Sequence, residues 1–332
     1  RYHAMKILFK GLWATSLSMG LTLVTVFGSS PSLAMESLSS AAPATSAMEN
    51  PFALMTAREL PDEPNPLDQK FSDIDAGSSF ICGILADSQT LQCWGLGEFG
   101  QLSPPSGRFK SLSLGEVHGC AIRHSDKRLI CWGLKDAYGS ANEDKGQYIS
   151  LSSGDRHTCA INTEKKLKCW GNNDLGQLDV PAGSYSSVSA KGGHTCATTL
   201  AGKLSCWGDP AFVSFTLPQG SFKEVVTGEL HGCALTRRGG KAICWGNGLD
   251  GETNPPQGNY SHLAAGNWHT CGLGDDHAIR CRGEDLFGQT SWVDGEQEVG
   301  VKYKQVAAGG EHTCGLRVDG LVRCHGSFAW NS

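Results

Sequence analysis

Two short signatures recur along this chain at a near-constant distance, and this recurrence limits the possible folds more than any other feature. The tripeptide C-W-G ends at Gly95, Gly133, Gly171, Gly208 and Gly246, and altered copies read Cys281-Arg282-Gly283 and Cys324-His325-Gly326. Ahead of it, H-x-C begins at His118, His157, His194, His231, His269 and His312, while the first copy reads Phe80-Ile81-Cys82. Seven copies result, and the leading cysteines are spaced by 38, 39, 37, 37, 38 and 43 residues. A self-similar period of about 40 residues is the mark of a repeat architecture.

Each repeat reads as a small antiparallel sheet. In the third copy, residues 148–152 alternate as a strand, Gly154 opens a tight turn and residues 157–161 form a second strand. Residues 162–166 make a polar hairpin, 167–170 a third strand and 172–177 a Gly-containing loop; a weak fourth strand is placed near Leu178. Glycine makes up 43 of 332 residues, about twice average usage, as turns between short strands require. The expected fold is all-β: a seven-bladed β-propeller with three- to four-stranded antiparallel blades over residues 67–332. A solenoid is the rival, since it also stacks repeats. Residues 63–71 resemble the segment 253–260 that leads into a later repeat, so the N-terminal piece is expected to complete the last blade and lock the ring edge.

The 14 cysteines fall two to a repeat, 10 or 11 residues apart. The pairs are Cys82 with Cys93, Cys120 with Cys131, Cys159 with Cys169, Cys196 with Cys206, Cys233 with Cys244, Cys271 with Cys281, and Cys314 with Cys324. Placed opposite one another across a hairpin, each pair suits a disulfide, and an even count in an exported chain implies one. Zinc held by His157, Cys159 and Cys169 is the alternative. The first repeat keeps both cysteines but has Phe80 in place of histidine, which favours a disulfide with an independent histidine.

The N-terminal residues read as an address. Met5 is the expected start, with two lysines, an apolar run over residues 12–27 and small residues up to Ala34. That order is a secretory signal peptide over residues 1–34; an uncleaved anchor is the alternative, but the run is short for a span of about 20 residues. Residues 35–66, rich in Ser, Ala and Pro, read as a disordered linker. The formal net charge is −5. Such an acidic balance argues against nucleic acid as partner. The expectation is a secreted or periplasmic monomer with no stable membrane anchor, no cofactor and no metal. Asp73 and Asp75 suggest calcium only weakly, because they sit within a strand.

The motif G-x-x-H-T-x-A-[IL] followed by W-G-x-N-x-x-G-Q-L, matched nearly throughout by residues 154–178, resembles the regulator-of-chromosome-condensation repeat. That family forms seven-bladed propellers, so the resemblance implies the same ring. The short repeats look like those of secreted β-lactamase inhibitor proteins of type II, and the cysteine pairs are similar to secreted bacterial relatives and to plant receptor ectodomains with crinkly-type repeats. The family also includes a nuclear exchange factor and a light receptor. The tryptophan motif of the light receptor has no counterpart here beyond the single segment 266–270. No nucleophile elbow, metalloprotease helix or phosphate loop is found. The expected function is a secreted protein-binding module, with enzyme inhibition as its specific form. A structural or adhesive surface role is the alternative, and an enzyme is not expected.

Strand order places the Gly-x-x-His turns and the Trp-Gly loops on one face, with the hairpins on the other. The first face carries Phe99, Tyr138, Phe212, Trp268, Phe287 and Phe328 among Glu116, Asp155, Arg156, Glu229, Asp250 and Glu311. Aromatics within a polar rim are what binding hot spots use. Trp268 leads this set, because no other repeat has an aromatic at its position.

Overall fold

The computed structural model describes residues 68–139, 141–255, 257–292 and 300–327. The expected signal peptide (1–34), the linker (35–66) and Phe328 lie outside the described residues. The rest contains seven three-stranded antiparallel sheets, one per repeat. The inner strands are Phe71–Ala76, Phe109–Leu114, Tyr148–Ser153, Tyr185–Lys191, Phe222–Thr227, Tyr260–Ala265 and Tyr303–Ala308. Each is followed by a middle and an outer strand, such as His157–Asn162 and Leu167–Gly171 in blade 3. No fourth strand forms at Leu178, where the chain turns sharply instead, with the Val180 amide donating to the Leu178 carbonyl.

The blades close into a ring in which the first and last inner strands touch like every other neighbouring pair. The amide of the first aromatic residue of each inner strand donates to a hairpin carbonyl of the preceding blade. Phe109 bonds to Gln89, Tyr148 to Lys127, Tyr185 to Lys165 and Tyr303 to His277, at 2.8–2.9 Å. The closing bond, Phe71 to Gly320 at 2.8 Å, is of the same kind. The acceptor residue has a left-handed backbone each time, even where it is not glycine, as at Lys165 with φ 65°. This conformation tightens the hairpin and aims its carbonyl at the next blade. The last blade takes all three of its described strands from its own repeat. Residues 63–67, on which the strand lock expected from the sequence rested, lie outside the described residues.

Packing follows the same logic. Seven apolar clusters lie at the seven blade junctions; that between blades 7 and 1 joins Phe71, Ile74 and Trp94 to Leu316 and Val322. The leading aromatic of every inner strand is at most 2% exposed. Trp94, Trp132, Trp170, Trp207 and Trp245 of the outer strands are also buried. Blade 7 has lost this tryptophan, and Trp292 from the preceding loop fills in, edge-on to Tyr303 and His325. All seven expected disulfides are formed between directly opposed cysteines of the middle and outer strands.

The inner strands line a central cavity of about 160 Å³. Half of its wall is stitched by hydrogen bonds. The Asp75 carboxylate accepts from the Leu114 amide at 2.7 Å, and Ser113, Ser152 and Ser189 hydroxyls accept from the amides of Ser153, Ala190 and Thr227. The equivalent Val226, Ala264 and Ala307 make the other half apolar. Asp73 accepts from Gln305 of blade 7, so both aspartates weighed for calcium serve blade-to-blade bonds. Among the described residues, no cluster of acidic, His or Cys side chains is arranged to hold a metal ion.

The glycine that opens the turn in six of the seven blades is sterically confined. A Cβ on Gly266 would lie 2.1 Å from His269 Cε1 and 2.5 Å from the Gly309 carbonyl of the next blade. We expect Gly266→Ala to destabilise the fold by about 3 kcal/mol, because the buried His269 ring and the Gly309 backbone would both have to move. Denaturant unfolding monitored by tryptophan fluorescence checks this; an unchanged midpoint would refute it.

Candidate functional site

The turns and loops do share one face. In each repeat the residue after Trp-Gly, or its substitute, donates its amide to the carbonyl just before the histidine position. Examples are Leu134 to Val117, Asn172 to Arg156 and Glu284 to Trp268, at 2.8–2.9 Å.

Beneath this face lies a ring of six histidines, all fully buried. Four reach into the next blade, where Nε2 meets a threonine hydroxyl: His118 with Thr158, His157 with Thr195, His231 with Thr270 and His269 with Thr313, at 2.7–2.9 Å. Burial pushes all six well below the ordinary histidine range, to about 3 or about 4. They are neutral at physiological pH, and their bonds join blades rather than meet a cleft.

Blade 4 breaks the pattern. Lys191 stands where the six other blades have the turn glycine. Its inner strand runs one residue longer, and Lys191 pairs with His194. The His194 ring then stacks face to face on Phe212, with centroids 3.5 Å apart. Blade 5 carries Gly232 where a threonine would receive His194, so the exception is accommodated on both sides. Lys191 is 8% exposed and lines the cavity mouth. The two turn residues after it, Gly192 and Gly193, have no side chains and leave a notch. The Glu229 carboxylate and Leu175 lie against these two glycines.

Around the notch the surface is acidic. Burial and the nearby Asp155 raise Glu229 to about 7, with Lys191 pulling the other way. Glu116 is raised by burial and by Asp155. Arg156 is exposed, while Glu229 and Glu311 are half-buried.

The aromatic residues expected here divide. Phe99 and Phe287 are exposed, at 49% and 48%, and Trp268 is half-buried in its turn. Tyr138 and Phe212 are corrections: they are 8% and 0% exposed and pack under the face, beside His118 and on His194. Each sits in a one-turn helix, Lys135–Tyr138 or Pro210–Val213, that folds its loop back onto the ring. Phe328 lies outside the described residues. What the aromatic search missed is a set of aliphatic tips. Leu249 is 87% exposed and Leu286 66%, with Leu96, Leu175 and Val213 also exposed on the same loops. Four of the loops are held alike: Gln101, Gln177, Glu252 and Gln289 are buried, and each side chain accepts from the amide two residues before it. The signal was available, since the apolar residue precedes the Gly-Gln or Gly-Glu pair by one or two places. Between blades 1 and 2 a depression of about 430 Å³ is lined by Leu96, Phe99, Leu102 and Val117 with Glu98 and Glu116.

Among the described residues, no helix is long and apolar enough to cross a membrane. Residues 148–177 and 303–328 match the family model described as Regulator of chromosome condensation (RCC1) repeat. No curated protein matches the chain in sequence. Solved structures do match in fold. The ectodomain of the Physcomitrella patens receptor kinase CR4 aligns with a TM-score of 0.64 at 24% identity, over 78% of this chain and 74% of that one. The CRINKLY WD40 ectodomain of Arabidopsis thaliana receptor kinase ACR4 gives 0.61 at 23% identity, over 78% and 98%. Yeast RCC1 (Prp20), crystallised with Kap60, gives 0.56 at 14% identity, over 82% and 85%. Two segments of the chain thus match the RCC1 repeat, and the described residues fold as seven three-stranded blades with one disulfide each, as in a seven-bladed propeller.

Proposed function

We propose that this protein is an extracellular protein-binding module that acts through its turn-and-loop face and not through catalysis. The observation that carries the reading is the exposed apolar tips set around an acidic centre on a cross-linked ring. Rigid scaffolds present function on loops, and apolar anchors within a polar rim are how protein interfaces concentrate affinity. Seven disulfides suit an oxidising compartment. Two of the structures similar in fold are ectodomains of receptor kinases, which agrees with an extracellular binding role. The narrower reading, inhibition of a secreted hydrolase, is supported by repeat length alone.

Cross-linking mass spectrometry of the protein with its captured partner tests the face: cross-linked residues should fall on the turns and loops. In a binding assay with that partner, we expect Phe99→Ala, Phe287→Ala and Trp268→Ala each to weaken affinity by about 2 kcal/mol. Arg237→Glu, on a hairpin of the opposite face, should leave it unchanged. The reverse result would mean that the hairpin face binds. Turnover of a substrate abolished by a single substitution would replace the binding reading with an enzymatic one.

A further inference from the structure

The two faces of the ring carry opposite charge, and they carry it on the same blades. On the turn-and-loop face, Glu116, Asp155, Asp209 and Glu229 come from blades 2, 3, 4 and 5. On the hairpin face, Lys127, Lys165, Lys166, Lys203, Arg237 and Arg238 come from those same four blades, and all are exposed. No salt bridge engages any of these six among the described residues. Of the acids on these hairpins, Asp126 is paired with Arg123 and Glu164 stands alone. The basic crescent stops at these blades, since the hairpins of blades 6, 7 and 1 carry Asp275, Asp276, Asp319 and Asp87, whereas acids continue around the turn-and-loop face at Asp285, Glu311 and Glu98.

Each crescent is crowded by its own charge. Burial first and Asp155 second raise Glu229 and Glu116, with Lys191 pulling both the other way, and Lys110 at the hairpin end is lowered by burial and then by Lys127. Contact with the opposite charge relieves both. Shape adds to charge at blade 4. Its turn-and-loop side is the Gly192-Gly193 turn, with Glu229 and Leu175 lying against it, and its hairpin projects Leu200, which is 48% exposed.

We propose that the acidic crescent of one ring docks on the basic crescent of a second copy, head to tail, with axes aligned and each blade over its own counterpart. In this register the basic crescent of blades 2–5 lies over Glu116, Asp155, Asp209 and Glu229 of the same blades. The Leu200 hairpin then falls on the Gly192-Gly193 turn. The contact is heterologous, so it leaves one acidic and one basic face free at the ends of the stack and extends into a column. Two turn-and-loop faces cannot meet in this way, since like charges would oppose each other. This association goes beyond the proposed function and does not depend on the identity of the partner protein.

Sedimentation velocity of the purified full chain tests it. Species larger than the monomer should grow with protein concentration at about 0.01 M salt, where charges act over about 30 Å, and dissolve at about 1 M, where the range is about 3 Å. Two variants decide the geometry. One carries Glu116→Lys, Asp155→Lys and Glu229→Lys; the other carries Lys165→Glu, Arg237→Glu and Arg238→Glu. Each alone has two faces of like sign and should associate at least about tenfold more weakly than the native chain. Mixed in equal amounts they should associate again, because each now offers the face that the other needs. Near-ultraviolet circular dichroism and disulfide content confirm that both are folded. A native chain that stays monomeric at low salt overturns the proposal. So does association that stops at a dimer, survives either set of swaps, or fails to return when the folded variants are mixed.

Discussion

Lowering the pH from 7 to 5 is expected to unfold the ring. Six histidines are fully buried beneath the turn-and-loop face, and their folded values lie at about 3 or about 4, against about 6.5 in an unfolded chain. A depressed folded value means that the unfolded state takes up the proton first. The stability these groups contribute is present above about pH 6.5 and is lost as pH falls towards their folded values. At pH 5 each histidine costs about 2 kcal/mol. Six together reach about 12 kcal/mol, comparable to the whole stability of an ordinary domain. Raised carboxylates work in the opposite direction, Glu116 and Glu252 among them. Burial raises Asp73 and Asp75 to about 6, and burial with Asp155 raises Glu229 to about 7. They take up protons more readily when folded, so they stabilise the ring as pH falls through the same window. These carboxylates offset only part of the effect of the six histidines. Melting temperatures measured from pH 7.5 to pH 4.5 should therefore fall steeply below about pH 6.5. His157→Asn should reduce the proton uptake on unfolding by about one. A flat profile down to pH 5 would contradict the account.

Reduction of the disulfides should have the second largest effect. Each bond closes 10 or 11 residues of sequence between opposed strands, and a loop of this size contributes roughly 2–3 kcal/mol. Seven of them contribute on the order of 15 kcal/mol, enough to decide whether the fold exists. The leading cysteine of every pair is 0% exposed, so a thiol reductant has little access in the native state. We expect slow reduction whose rate rises with denaturant, followed by loss of near-ultraviolet dichroism. Replacing one pair, Cys159→Ser with Cys169→Ser, should lower stability by about 3 kcal/mol without abolishing folding. Rapid reduction with the dichroism intact would show that the blades stand without their cross-links.

The ring was legible in the sequence because its determinants are local and repeated. Cys159 and Cys169 face each other across a hairpin of fixed length, and the same arithmetic held in every blade. The Gly-x-x-His turns and the Trp-Gly loops were placed on one face from strand order alone. The surface within that face was not legible. Tyr138 and Phe212 look like Phe99 and Phe287 in a string of letters; a one-turn helix in each loop buries the first two, while a buried glutamine holds up the others. That difference lies in how irregular loops fold, which no period reports. Leu249 and Leu286 went unnoticed because leucine is the ordinary residue of a core, and only the structure shows these two in solvent. Lys191 could have been seen as the one departure from glycine in seven aligned turns. Its meaning depends on two distant residues, Phe212 and Gly232, that accommodate it.

Each repeat makes one whole blade, and the bond from Phe71 to Gly320 that closes the ring is the same as the bonds between other blades. The ring consequently has no privileged seam. A gene rearranged to begin at another loop between blades would encode the same contacts, and duplication or loss of one repeat would alter the circumference without dismantling any sheet. What such a rearrangement must preserve is adjacency. His157 needs the blade that carries Thr195, and His194 needs the one that carries Gly232. Over evolutionary time the starting point of such a chain is free to drift around the circle, while the order of its repeats is held by the pairs of residues that meet across each junction.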